Sequence, residues 1–76
     1  MKNDFSYKIA EALAVLSSSE GGDFTTEANM IAYNGREPKL DIRKWDRRTK
    51  EGKMLKGITL NREEAAVLLE ALKKAI

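Results

Sequence analysis

A chain of 76 residues with neither cysteine nor histidine has few means of holding a small fold together. A domain near this size buries only about 60% of the surface its unfolded chain exposes. Small domains commonly add disulfides, a structural metal or a partner chain to make up the deficit. Without cysteine there is no disulfide, and without cysteine and histidine a structural zinc has almost no ligands. Association with a second chain, most simply another copy, is the stabiliser that remains. The same two absences remove Ser-His and Cys-His nucleophile pairs and imidazole acid–base chemistry. A carboxylate or lysine enzyme would need a deeper pocket than so short a chain can wrap. The expectation is a single domain over residues 1–76, without enzymatic activity, cofactor or metal.

Charge sharpens this picture. The net charge of +2 conceals a strongly basic middle. Residues 1–35 carry two basic and five acidic side chains, residues 36–62 carry ten and four, and residues 63–76 carry two and three. A basic block flanked by acidic segments points to an anionic partner. The bland alternative is a solvated charged loop, for which the run Asp46 to Lys53 is a fair candidate.

Lys2, the apolar stretch Ile9 to Leu16 and the serines Ser17 to Ser19 loosely imitate a secretory signal. Asp4 and Glu11 interrupt the pattern, so a signal is not expected, and no stretch reaches transmembrane length. A soluble cytoplasmic protein, with nucleoid association as one setting, is the expectation. No membrane partner is expected.

Pro38 and five glycines divide the chain into short elements. In Tyr7 to Leu16, the spacing of Ile9, Leu13 and Leu16 and the alanine content predict a helix. The unbroken apolar run Ala12 to Leu16 also suits a buried strand. Thr25 to Tyr33 alternates loosely, Asn34-Gly35 is a strong hairpin signal, and Lys39 to Trp45 alternates cleanly as a strand. Met54 to Leu60 predicts a further short strand, with Gly57 at a bulge. Asn61 and Glu64 then match a capping box opening a C-terminal helix. Ala65, Leu68, Leu69, Leu72 and Ile76 stripe that helix, and Lys73 and Lys74 suit its C-terminal dipole. The stripe is expected to lie on the sheet face of Met30, Leu40, Ile42, Ile58 and Leu60, with Leu68, Leu72 and Ile76 sealing a dimer.

Register decides what the hairpin displays. A two-residue turn at Asn34-Gly35 sets Leu40 opposite Asn29 and Ile42 opposite Glu27, which wastes the core face. A loop longer by one or three residues returns both to the side of Met30 and Ala32, because strand side chains repeat with period two. The longer loop is expected. It places Tyr33, Lys39, Asp41, Arg43 and Trp45 together on the outer face.

Aromatics interleaved with cations suit single-stranded nucleic acid, whose bases stack while its phosphates meet positive charge. Arg47, Arg48, Lys50 and Lys53 extend the cationic track. Against this stands a structural reading in which Trp45 closes a core edge and Arg43 pairs with Asp41. No glycine-rich phosphate loop occurs. Asp41, Asp46 and Glu51 match no cation-binding loop, and salt bridges to nearby cations are expected of them. Ser17 to Ser19 have no base to activate them.

From Tyr33-Asn34-Gly35-Arg36-Glu37-Pro38-Lys39-Leu40-Asp41-Ile42-Arg43-Lys44-Trp45, through Lys56-Gly57-Ile58-Thr59-Leu60 to the capped helix, the chain resembles the transcriptional coactivator family named for positive cofactor four. It is most similar to the short bacterial, YdbC-type branch. The resemblance implies an α+β fold: a curved four-stranded antiparallel sheet followed by one C-terminal helix, ββββα, paired as a two-fold dimer through the helices. It implies that Tyr7 to Leu16 is a strand rather than a helix. It also implies binding of single-stranded DNA with little sequence preference. Arg43 matches the family's strand arginine, Trp45 its stacking aromatic, Lys56 the lysine before Gly-Ile, and Tyr33 an aromatic of the bacterial branch. The serine-rich coactivator tail of eukaryotic members is absent.

The expected nucleic-acid-binding set is therefore Tyr33, Lys39, Arg43, Trp45, Arg47, Arg48, Lys53 and Lys56. The expected function is binding of single-stranded DNA in transcription, replication or repair. The alternatives are an RNA-binding protein and a protein-interaction module whose basic face docks an acidic partner.

Overall fold

The computed structural model describes residues 6–76. Lys2 and Asp4, on which the targeting argument leans, lie outside them. Strands β1 (Tyr7–Ser18), β2 (Phe24–Tyr33), β3 (Lys39–Asp46) and β4 (Lys53–Leu60) form one antiparallel sheet in the order β1-β2-β3-β4, and helix α1 (Arg62–Ala75) follows. The ββββα fold is the one the family resemblance implies.

The helix predicted for Tyr7 to Leu16 does not form. This segment pairs with β2 along its length, and the ladder overrides a local propensity worth tenths of a kcal/mol per residue. The ladder is irregular between Ile9 and Glu11, Ala12 and Ala14, and Val15 and Ser17. Each irregularity adds a residue on β1, which bends the strand and increases its twist. A short 3₁₀ turn, Glu20–Gly22, carries the chain into β2.

The β2–β3 connection combines both register options. Asn34 (φ 52°) and Gly35 (φ 75°) form a tight turn in which the Arg36 N–H donates to the Tyr33 carbonyl at 2.9 Å. Two positive φ values at the centre are what a type I′ hairpin turn requires. The strand does not resume at once. Glu37 and Pro38 take up slack, and pairing runs through Ile31–Lys39, Met30–Leu40 and Ala28–Ile42. That register is one residue longer than the two-residue hairpin. Leu40 and Ile42 thus share a face with Met30, as expected.

The capping box forms as predicted. Asn61 Oδ1 accepts the Glu64 N–H at 2.7 Å, and Glu64 Oε1 accepts the Asn61 N–H at 2.9 Å.

The distribution of burial departs from expectation. Ile31 and Trp45 form the buried apolar core, joined by buried Glu27, Asn29 and Asp41. All five lie on the face that the alternation assigns to the outside. The opposite face is only partly covered. Met30, Leu40, Ile42 and Leu60 are half-buried, Ile58 is 55% exposed, and no residue of α1 is buried. Side chains laid over Trp45 explain the inversion. β1 brings the Tyr7 ring to 6.0 Å from the Trp45 ring and Arg47 lies over its face, so this side is covered. The apolar side and the stripe Leu69, Leu72 and Ile76 stay open in a single chain.

Candidate nucleic-acid interface

Asp41 is the hub of the covered side of the sheet. It stands mid-strand in β3, fully buried, where an unpaired carboxylate would be heavily penalised. Four donors satisfy it. Arg43 Nε donates to Oδ1 at 2.6 Å and Arg43 Nη2 to Oδ2 at 2.7 Å; the Tyr33 and Thr59 hydroxyls each donate to Oδ2 at 2.8 Å. Burial works against the charged carboxylate, but the bonds from Arg43, Thr59 and Tyr33 outweigh it and hold the Asp41 pKa below the ordinary range. The bond to Asp41 correspondingly raises the pKa of Arg43. Burial, reinforced by the neighbouring carboxylate, raises that of the Tyr33 phenol.

The remaining reach of Arg43 goes to β4. Between Arg43–Gly57 and Trp45–Met54 the β3–β4 ladder is irregular, and Arg43 Nη1 donates to the Leu55 carbonyl there at 3.0 Å. The bulge expected near Gly57 thus exists and supplies an acceptor for Arg43.

Tyr33, Arg36, Glu37, Lys39, Arg43, Met54 and Thr59 wall an open groove of about 440 Å³. Three of the expected site residues, Tyr33, Lys39 and Arg43, meet in it. Arg36 and Glu37 from the β2–β3 connection and Met54 and Thr59 from β4 join them, and sequence reasoning missed all four as site residues. Arg36 was visible as one of the basic block. Met54 and Thr59 reach the groove only through the β3–β4 register.

Trp45 is placed differently from expectation. It is fully buried rather than displayed on an outer face, and Arg47 covers it, with the guanidinium carbon 4.4 Å from the ring centroid. Arg47 is itself held by Glu27, donating from Nη2 at 2.6 Å and from Nε at 2.9 Å. This bond, with help from Thr25 and Asn29, lowers the Glu27 pKa to about 2. The structural reading of the sequence, Trp45 at a core edge and Arg43 on Asp41, describes what is found in the free chain.

Arg48 donates to Asp46 at 2.7 and 3.0 Å and lies 5.1 Å from the Phe24 ring centroid. The salt bridges expected of Asp41 and Asp46 are thus present. Lys39, Lys44, Lys50, Lys53 and Lys56 are all exposed, but the β3–β4 register sets Lys53, opposite Asp46, and Lys56 on the Leu40 and Ile42 face, away from the groove that Lys39 lines. None of these five lysines joins an ion pair among the described residues. Among the described residues the cations of the basic block therefore divide into ion-paired arginines, Arg43, Arg47 and Arg48, and exposed groups outside any ion pair, these five lysines with Arg36 and Arg62. Leu68 is half-buried on α1, whereas Leu72 and Ile76 are exposed.

An antiparallel sheet of four strands with one C-terminal helix, and a groove walled by Tyr33, Arg36, Lys39 and Arg43 with Glu37, defines a small ββββα sheet domain. The chain belongs to the family described as Transcriptional Coactivator p15 (PC4), whose sequence model matches residues 24–71. The match starts at β2, upstream of the Tyr33 at which the resemblance becomes visible by eye. The family is one of non-enzymatic nucleic-acid-binding proteins associated with single-stranded DNA and transcription. A Treponema pallidum (strain Nichols) protein described as "Uncharacterized protein" is 38% identical over 72 residues, covering 95% of this chain and 81% of its own length.

Proposed function

We propose that this protein binds single-stranded DNA without enzymatic activity and with little sequence preference, as a homodimer, in transcription, replication or repair. The groove between Tyr33, Lys39 and Arg43 carries the proposal. It pairs an aromatic edge with cations on a surface wide enough for an unpaired base, within a family whose members act on single strands. Arg36 adds a further cation to the groove, and Arg47, on the same side of the sheet over Trp45, can join it by exchanging a carboxylate for a phosphate. The open apolar face and the Leu68, Leu72 and Ile76 stripe support the dimer, because a second copy would cover both. The cytoplasm is the proposed location.

Fluorescence anisotropy of labelled oligo-dT, a hairpin RNA and a DNA duplex, each titrated with the protein, tests the function. Tightest binding to oligo-dT is expected. Equal or tighter binding to the RNA overturns the DNA assignment. No binding to any of the three favours docking of an acidic protein instead.

A further inference from the structure

The burial of Trp45 sets a problem for any nucleic-acid role of its indole. Its ring is closed off by Arg47 on one side and approached by Tyr7 at 6.0 Å between centroids. Among the described residues its Nε1 has no hydrogen-bond partner, although it is buried. A buried donor without an acceptor raises the free energy of the closed arrangement. The indole is thus seated by its faces and not anchored by its polar edge.

Arg47 is better placed to move than a core residue. It follows β3 in the connection to β4, and its side chain is 27% exposed. Gly52, at φ 78°, leaves room for it, and a Cβ there would collide with the guanidinium. Glu27, 9% exposed at its side chain, is what holds the guanidinium over the ring. A phosphate offers the same two-oxygen geometry to an arginine as a carboxylate does.

We propose that Arg47 is a reversible cover on Trp45, latched by Glu27, and that a single-stranded nucleic acid opens it by giving Arg47 a phosphate in place of the Glu27 carboxylate, freeing the indole to stack on a base. The proposal rests on the single-strand reading above. The exchange keeps Arg47 paired with an oxyanion and gives the indole a base in place of the guanidinium. The released Glu27 keeps its bonds from Thr25 and Asn29, and its loss of Arg47 is the cost the phosphate must offset. Glu27 is then a positioning residue: it touches no ligand and sets the availability of Trp45 through Arg47. A duplex offers phosphates but no free base, so it can engage Arg47 without completing the exchange.

Trp45 is the only tryptophan, so its emission reports the cover directly. In the free protein a blue-shifted emission with weak acrylamide quenching is expected. Saturating oligo-dT should quench the emission by stacking, whereas a duplex should not. Glu27→Gln keeps the shape of the latch and removes its charge. It should raise acrylamide quenching severalfold before any DNA is added and tighten oligo-dT binding about threefold or more. Arg47→Lys, which keeps the charge but not the two-pronged hold, should raise the quenching in the same way, with far-UV circular dichroism confirming the fold. If labelled oligo-dT binds by anisotropy while wild-type Trp45 emission and quenching stay unchanged, the cover does not open and the inference fails, although the single-strand reading survives. If a folded Glu27→Gln variant binds oligo-dT no more tightly than wild type, the latch is not a latch. If oligo-dT does not bind at all, the functional reading itself falls, and the inference with it.

Discussion

Gly57 faces Arg43 across the β3–β4 ladder so closely that a Cβ on Gly57 would lie 2.7 Å from the Arg43 Cα and 2.7 Å from the Ile42 carbonyl oxygen. Glycine is needed here for close approach of two backbones, not for an unusual φ. The approach lets the Arg43 side chain fold flat between Asp41 and the Leu55 carbonyl. Gly57→Ala should therefore spread the two strands and cost about 1–3 kcal/mol, as overpacking does. Urea unfolding checks this, and an unchanged midpoint would remove the steric argument.

Trp45→Ala should be strongly destabilising, by about 3–5 kcal/mol, because it empties the largest buried side chain of the core. Trp45→Phe should recover most of that loss, since the unpartnered Nε1 contributes no bond to keep. Thermal unfolding of the two variants distinguishes core packing from a surface role, for which both would unfold like wild type.

Assembly is tested by light scattering at micromolar concentration, where twice the 8.5 kDa chain mass is expected. Ile58, Leu69 and Leu72 are 55%, 53% and 44% exposed in one chain, a large apolar area to leave in water. Leu72→Asp should give a monomer of lower stability, because a charge is placed in an apolar seam. A wild-type monomer at high micromolar concentration excludes the dimer.

Salt dependence separates the lysines from the latched arginines. Lys39→Ala should reduce the slope of log affinity against log salt by about 0.7 if that lysine meets one phosphate of a single strand. Arg43→Ala should do more than lower the slope. It leaves Asp41 buried beside two hydroxyls alone, so it should also destabilise the fold by about 3–5 kcal/mol. Binding that is flat with salt contradicts a phosphate track.

Acid should unfold the protein through the buried carboxylates Glu27 and Asp41. The Glu27 pKa is depressed from 4.5 to about 2, and that of Asp41 is also lowered. A depressed carboxylate contributes stability that is complete above its unfolded pKa and is lost as pH falls through the folded one. Stability should thus be level from neutrality to about pH 4.5 and decline towards pH 2. Glu27 accounts for about 3 kcal/mol of that decline at most. Glu27→Gln should flatten the profile; a profile equally steep in the variant places the acid sensitivity elsewhere.

Local signals in the sequence were enough for most of the elements. The Asn34-Gly35 turn, the alternation of Lys39 to Trp45 and the Asn61–Glu64 box each act within a few residues, so each is legible without knowing the fold. The β2–β3 register was also legible, because only a longer loop returns Leu40 and Ile42 to the side of Met30, and the Met30–Leu40 pair is found. So was the residue content of the groove on the hairpin side, since Tyr33, Lys39 and Arg43 share one parity. The strand state of Tyr7 to Leu16 was not in its own composition, which favours a helix; a bulged ladder with β2 decided it. Which face is inside was likewise beyond alternation. Period two says that Trp45 and Leu40 lie on opposite sides, but only tertiary contacts say that the side with Trp45, Asp41 and Glu27 closes. Tyr7 on Trp45 and Arg47 on Glu27 are such contacts between distant segments. Their partners are 38 and 20 residues apart, so the sequence supplies their chemistry while the tertiary structure supplies their meeting.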